Sequence, residues 1–384
     1  MDNLEFHSVL FNFHDVILLM TSLLCLHFAL LLCITNSNYI RSTFFLAAFL
    51  FAHSLIPINE LMMWGAEFRL HAREQWPSLY FVPSFAYYFD GPLLFLCIKS
   101  LVFRDFSLKR VDLLHLLPFA AYCIFMIFAF YGNTYDVRSQ LLSSEEFIYS
   151  NGYVTMEFFS KWVRIFYAVA CFVLLSQYDN RLQDRYSNLN KDHVLWLRAL
   201  VVGFLIVMIL ELVLASAKTI TPAHNIYSKI GLTGYYTTFL LVNLLVFTAI
   251  RSFNMFEQIS QQDTSKTAAD DHLIDPQMAS DIDSHIKQQK LYMDPDITLD
   301  SLAEQLEILP RDLSMLINRH FGINFYTFIN RYRIDEAKRM LKDPSIKDTI
   351  TDIYLAVGFN SKSVFYTFFK KFEGVTPTKF REIK

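Results

Sequence analysis

The side chains best suited to chemistry in this 384-residue chain lie near its end. Lys362, Ser363 and Thr367 recur at helical spacing, and Lys370, Lys371, Lys379 and Arg381 follow. They oppose Phe365, Phe368, Phe369 and Phe372, so one helix face offers hydroxyls and amines while the other is apolar. The pattern occurs once before, where Arg311, Ser314 and Met315, with Asn318 and Arg319, oppose Leu313, Leu316, Ile317 and Phe321. Such faces suit recognition by hydrogen bonds and charge. H-E-x-x-H, G-x-S-x-G, Walker and dinucleotide-binding patterns are absent from the sequence, which predicts a non-enzyme without cofactor or metal.

The elements that must hold these faces follow from punctuation and period. Met278 to Met293 reads as a helix ended before Pro295. Thr298 caps a short helix with Leu299, Leu302, Ala303 and Leu306 on one face, and Pro310 opens the next, to His320. Phe325 to Leu341 is a longer amphipathic helix stopped at Asp343-Pro344. The short-helix, turn, helix pattern then repeats, with Ile350, Ile353 and Val357 inward, Gly358 at the turn and Ser361 as cap. Two helix-turn-helix units joined by one helix are expected. From Pro310 to Lys384 fourteen Lys and Arg face eight Asp and Glu, a net of +6 in a chain of net charge −3, as a phosphate-binding surface requires.

Upstream the composition changes. Hydrophobic residues make up 53% of the chain and aromatics 16%, concentrated before about Phe253. Seven runs are long enough for a hydrocarbon layer of about 30 Å: 9–34, 42–63, 80–103, 112–131, 158–178, 193–217 and 228–250, with Asp90-Gly91-Pro92 interrupting the third. Alternate loops hold Arg41, Arg104, Lys109, Arg110, Arg181, Arg185, Lys191 and Arg251, against Arg69, Arg73, Arg138 and Lys218 opposite. That excess predicts the N-terminus outside and the C-terminus in the cytoplasm. The acidic start, Met1 to Glu5, is unlike a cleaved secretory signal. All five cysteines lie in the apolar runs without metal or disulfide spacing and read as small hydrophobes. Glu60, Asp90 and Glu211 fall at mid-span, where a carboxylate is costly without a partner; they are the candidate sensing residues, beside His53, Asn59 and Asn243. Arg164 and Arg198 read as snorkelling span ends, and the tyrosine-bearing loop 132–157 as an interfacial loop. Residues 252–277 are polar and acidic, a flexible tether.

Thr298-Leu299-Asp300-Ser301-Leu302-Ala303, Leu313-Ser314, Asn324-Phe325, Tyr332-Arg333-Ile334, Glu336-Ala337 and Gly358-Phe359-Asn360-Ser361 through Thr376-Pro377 and Arg381 resemble the DNA-binding domain of AraC-type regulators. Asp90-Gly91-Pro92-Leu93-Leu94 and Leu114-His115-Leu116-Leu117-Pro118-Phe119 resemble the membrane part of membrane-embedded members. The resemblance implies that both reading helices enter successive major grooves, with Arg311, Ser314, Met315, Lys362, Ser363 and Thr367 at base edges. Lys370, Lys371, Lys379 and Arg381 would then lie on phosphates. Two departures stand out: Leu309 where the pattern has a Ser or Thr cap, and Tyr354 where it has a small residue. The expected fold is all-α, a seven-helix transmembrane bundle (1–251), a linker (252–277) and a cytoplasmic AraC-type domain (278–384) with two helix-turn-helix units. Expected partners are double-stranded promoter DNA, the bilayer of a bacterial inner membrane, a second copy in a homodimer and an unidentified signal. The alternative is a membrane transporter or enzyme carrying a regulatory DNA-binding domain.

Overall fold

The computed structural model describes residues 11–34, 40–103, 106–189, 192–220, 234, 236–244 and 276–382. Regular structure among them is helical, and an isolated antiparallel bridge pairs Tyr186 with Thr298. The chain divides into two compact units, Met1–Leu175 with Asp192–Lys266, and Ser176–Lys191 with Thr267–Lys384.

In the first unit the long elements are α1 (Phe13–Ile34), α2 (Ile40–Trp64), α4 (Tyr87–Val102), α5 (Leu117–Met126), α7 (Asn151–Arg185, of which the part from Ser176 onward belongs to the second unit) and α8 (Asp192–Ile220), with short α3 (Phe68–Gln75) and α6 (Tyr135–Ser143) between them. Six candidate spans result among the described residues, long and apolar enough to cross a membrane: Phe13–Ile34, Arg41–Trp64, Pro83–Val102, Arg110–Tyr131, Asn151–Gln183 and Leu197–Ser216. The seventh expected run, 228–250, falls mostly outside the described residues, of which 234 and 236–244 are helical.

Two local expectations change. Asp90-Gly91-Pro92 does not interrupt its span, because α4 runs through it with Pro92 in the second turn, where proline forgoes one hydrogen bond near the helix start. Gly91 is there for approach: a Cβ on it would lie 2.9 Å from Cβ of Tyr167 on α7. Loop 132–157 is folded onto the unit, with α6 inside it, Tyr153 and Phe147 buried beside Phe81, and Arg73 Nη1 donating to Glu145 Oε1 at 2.5 Å. That hydrogen bond holds the Glu145 carboxyl below its usual range.

The second unit is built on one long helix, Phe325–Lys342, which serves two small cores. Its Phe328 and Ile329 pack with Leu302, Leu313, Leu316 and Ile317, whereas its Ile334 and Ala337 pack with Ile353, Val357, Phe365 and Phe369. Each core adds a short helix and a longer one: Leu299–Gln305 with Pro310–His320, then Ile350–Ala356 with Lys362–Glu373. Pro276–Gln289 leads in and Pro377–Glu382 closes. Side-chain caps fix the starts. Thr298 Oγ1 accepts from Ser301 N at 3.1 Å, Asn324 Oδ1 from Thr327 N at 2.9 Å and Thr349 Oγ1 from Asp352 N at 3.2 Å, each satisfying an orphan amide.

Candidate nucleic-acid interface

In the helix Pro310–His320 the inner row Leu313, Leu316 and Ile317 is buried, which turns Arg311, Asn318 and Arg319 to solvent and leaves Ser314 and Met315 half-buried. Arg311 is 3.6 Å from Asp312, and Asn318 Nδ2 donates weakly to Ser314 Oγ at 3.4 Å. Leu309 stands at the cap position, 65% exposed, and gives no cap bond. In Lys362–Glu373 the buried row is Phe365, Phe368 and Phe369, and Lys362, Ser363, Thr367, Lys370 and Lys371 are exposed. Ser361 occupies the expected cap position in extended conformation, yet its hydroxyl pairs with Ser363 Oγ at 2.9 Å instead of capping. Thr367 Oγ1 donates to the Ser363 carbonyl at 2.8 Å, so its hydroxyl faces a ligand as an acceptor. Lys379 is exposed, while Arg381 is half-buried with Nη2 unpartnered among the described residues. Gly374, at φ 75°, ends this helix by donating its N–H to the Lys370 carbonyl at 2.9 Å.

The turn before the helix Lys362–Glu373 depends on Gly358. Its φ is 96°, and a Cβ there would lie 2.8 Å from Met293 O and 2.9 Å from Arg333 Nε. Arg333 is fully buried, and among the described residues no carboxylate bonds its guanidinium. Nε donates to Tyr292 O at 2.7 Å, Nη1 to Ser187 O and Asn330 Oδ1 at 3.3 Å each, and Nη2 to Asp294 O at 2.8 Å and Ser187 Oγ at 3.1 Å. Burial pushes its pKa down to about 10. Nothing in the sequence reading assigned this role. The signal was an arginine in the apolar row Ile329, Arg333, Ala337, at the spacing of an inward face.

Elsewhere, in the first unit, two of the three candidate sensing carboxylates, Asp90 and Glu211, meet at Arg164, and the third, Glu60, accepts from the neighbouring Tyr87. Arg164 Nε donates to Asp90 Oδ2 at 3.2 Å and its Nη1 to Glu211 Oε2 at 2.7 Å. His53 Nδ1 lies 2.8 Å from Asp90 Oδ1, and Tyr87, whose ring faces the Arg164 guanidinium, donates its hydroxyl to Glu60. Arg164 is therefore no snorkelling span end. It is 2% exposed, because α7 begins well before the expected span and carries it into the interior. Arg198 donates to the Leu175 carbonyl at 3.1 Å. Beside Glu60 opens a cavity of about 40 Å³, lined also by Lys161 and Glu157, which pair at 3.1 Å, and by Asn59, whose Oδ1 is unpartnered among the described residues. No cluster of metal-ligating side chains occurs among the described residues.

Two amphipathic helices with exposed donors, each behind a short helix and a tight turn, have the arrangement of a helix-turn-helix domain. Residues 302–383 match the family described as a helix-turn-helix domain, so the chain carries a C-terminal helix-turn-helix domain of AraC type. It is 32% identical over 89 residues to an HTH-type transcriptional regulator of Bacillus subtilis, covering 23% of this chain and 11% of that one. A Staphylococcus aureus (strain COL) regulator of the same description is 35% identical over 92 residues, 24% of this chain and 12% of its own. The melibiose operon regulatory protein of Escherichia coli is 28% identical over 90 residues, 23% of this chain and 29% of its own. The chain thus spans about a tenth of the first two relatives and under a third of the other. Among solved structures, the C-terminal domain of AraT, a response regulator from Geobacillus stearothermophilus, is 31% identical, covering 29% of this chain and 89% of that one at a TM-score of 0.25.

Proposed function

We propose that the chain is a membrane-embedded one-component transcription regulator: transmembrane helices receive a signal and a cytoplasmic domain with two helix-turn-helix units reads promoter DNA. The observation that carries this reading is the pair of helices Pro310–His320 and Lys362–Glu373, each with a buried apolar row and an outward row of donors, in one chain whose described residues include six helices apolar enough to span a bilayer. Arg311, Ser314, Met315, Lys362, Ser363 and Thr367 read base edges, and Lys370, Lys371, Lys379 and Arg381 hold phosphates. The signal acts on the cluster in which Arg164 holds Asp90 and Glu211 and Tyr87 holds Glu60, where the buried pair Asp90 and Arg164 rely on each other and a displaced partner is costly. The unfilled acceptor of Asn59 in the adjoining cavity supports a ligand with a hydrogen-bond donor. The domains are 1–251, the linker 252–277 and 278–384, acting as a homodimer.

Genomic sites crosslinked to the tagged full-length protein test the DNA half. Discrete promoters are expected, and they should disappear with Lys362→Ala combined with Arg311→Ala. Accessibility of C-terminal tags in sealed inverted vesicles tests the membrane half; a tag protected from the cytoplasmic side sinks the topology.

A further inference from the structure

The unit that carries the reading helices includes a segment from far upstream in the chain. Residues Ser176–Lys191, which follow and include the end of α7, group with Thr267–Lys384. Asn188 Nδ2 donates to the carbonyls of Pro295 at 2.6 Å and Gly358 at 2.9 Å. Ser187 Oγ donates to Ile297 O at 2.7 Å, and the Ser187 carbonyl accepts from Asn330 Nδ2 at 3.1 Å as well as from Arg333. Asn324, the cap of the long helix, donates Nδ2 to Gln183 Oε1 at 3.1 Å, and Leu189 packs against the second core.

Two features make this a built site rather than a chance contact. Ser187, Asn330 and Arg333 are all at most 1% exposed, so removing the segment strands one donor of Asn330 and takes both of Ser187's acceptors from Arg333 in an apolar setting. In addition, one amide spans both halves, because Pro295 precedes the first helix pair and Gly358 forms the turn of the second. None of these bonds involves Arg311, Ser314, Met315, Lys362, Ser363 or Thr367, so the reading faces stay open.

We propose that Gln183–Leu189 is a docking strap: the DNA-binding unit carries a site for this chain's own segment, and the seated segment fixes the separation of the two reading helices. The docking stands by itself; its consequence for DNA rests on the function proposed above.

Tyr186→Cys with Thr298→Cys in the full chain, in native membranes, tests the docking, since antiparallel partners hold their Cβ atoms about 4.5–5.5 Å apart, close to disulfide range. Native cysteines end at Cys171, so once a protease site inserted beside Lys266 is cut, a disulfide joining the fragments must use the sulfur introduced at position 298. Joined fragments are expected on oxidation, split by reductant and absent with Thr298→Cys alone. Asn188→Asp, which turns a donor into a carboxylate facing two carbonyls, should abolish joining. A second pair, Gln183→Cys with Asn324→Cys, samples the contact away from the buried polar atoms; if neither pair joins, the strap is overturned. Retention of sheared duplex DNA at low salt is read on the same membranes. Joining without retention would overturn the DNA-reading assignment and leave the strap, and retention without joining would do the reverse. In selections from random duplexes Asn188→Asp is expected to lose the fixed distance between its two recognised sub-sites; an unchanged distance would overturn the spacing role.

Discussion

At the scale of single residues, Gly358 and Arg333 hold the second turn as a pair: the glycine's missing Cβ leaves room for the guanidinium. Gly358→Ala adds left-handed strain of about 1–3 kcal/mol and a contact with backbone oxygens that cannot swing aside. Hydrogen exchange should then show the second core opening more readily, and a wild-type pattern would refute the requirement. Reading and positioning residues separate by salt. Lys370→Ala should weaken duplex binding evenly across sequences and lower the slope of log affinity against log salt by about 1, whereas Lys362→Ala should relax preference at one base pair. A slope unchanged by Lys370→Ala would remove it from the phosphate set.

Among the helices, stability turns on starts. Thr349→Ala deletes a working cap and should cost about 1 kcal/mol, while Ser361→Ala should cost much less because that hydroxyl bonds Ser363. Leu309→Ser should stabilise by about 1 kcal/mol, since the position is exposed, extended and uncapped. Chemical denaturation of the full chain followed in the C-terminal unit checks all three signs. Acid acts through Glu336, whose carboxyl Arg339 and then Lys290 hold at about 2 instead of 4.5. Its contribution is complete above about 4.5 and is lost as pH falls toward 2, so Glu336→Gln should flatten acid destabilisation across that interval. An identical acid profile would show that these pairs contribute nothing. Much of this was legible in sequence: Thr298, Pro310 and Asp343-Pro344 marked helix ends because local backbone chemistry decides them. Ser361 was misleading, because a nearby hydroxyl competes for it, and Asn324 and Thr349 were overlooked as caps.

For the molecule as a whole, the mid-span carboxylates were visible as expensive residues, but the arginine that Asp90 and Glu211 share was not. Contacts between positions as distant as Asp90, Arg164 and Glu211 leave no periodic trace, and a misplaced start of α7 put Arg164 at a boundary. Asp90→Asn should cost about 3–5 kcal/mol by leaving Arg164 short of its buried partner, with part recovered by adding Arg164→Met. Thermal aggregation of the detergent-solubilised chain measures both, and no recovery in the double variant would show that the two residues act separately. Most of the span 228–250, except 234 and 236–244, and the linker before residue 276 fall outside the described residues.

Asn188 bears on how such chains are recombined. A hybrid that joins one regulator's sensor to another's reader at residues 252–277 inherits Ser187 and Asn188 from the wrong parent, opposite carbonyls and an arginine they were not shaped against. Exchanging Gln183–Leu189 together with the reader should rescue hybrids that a single crossover leaves inert.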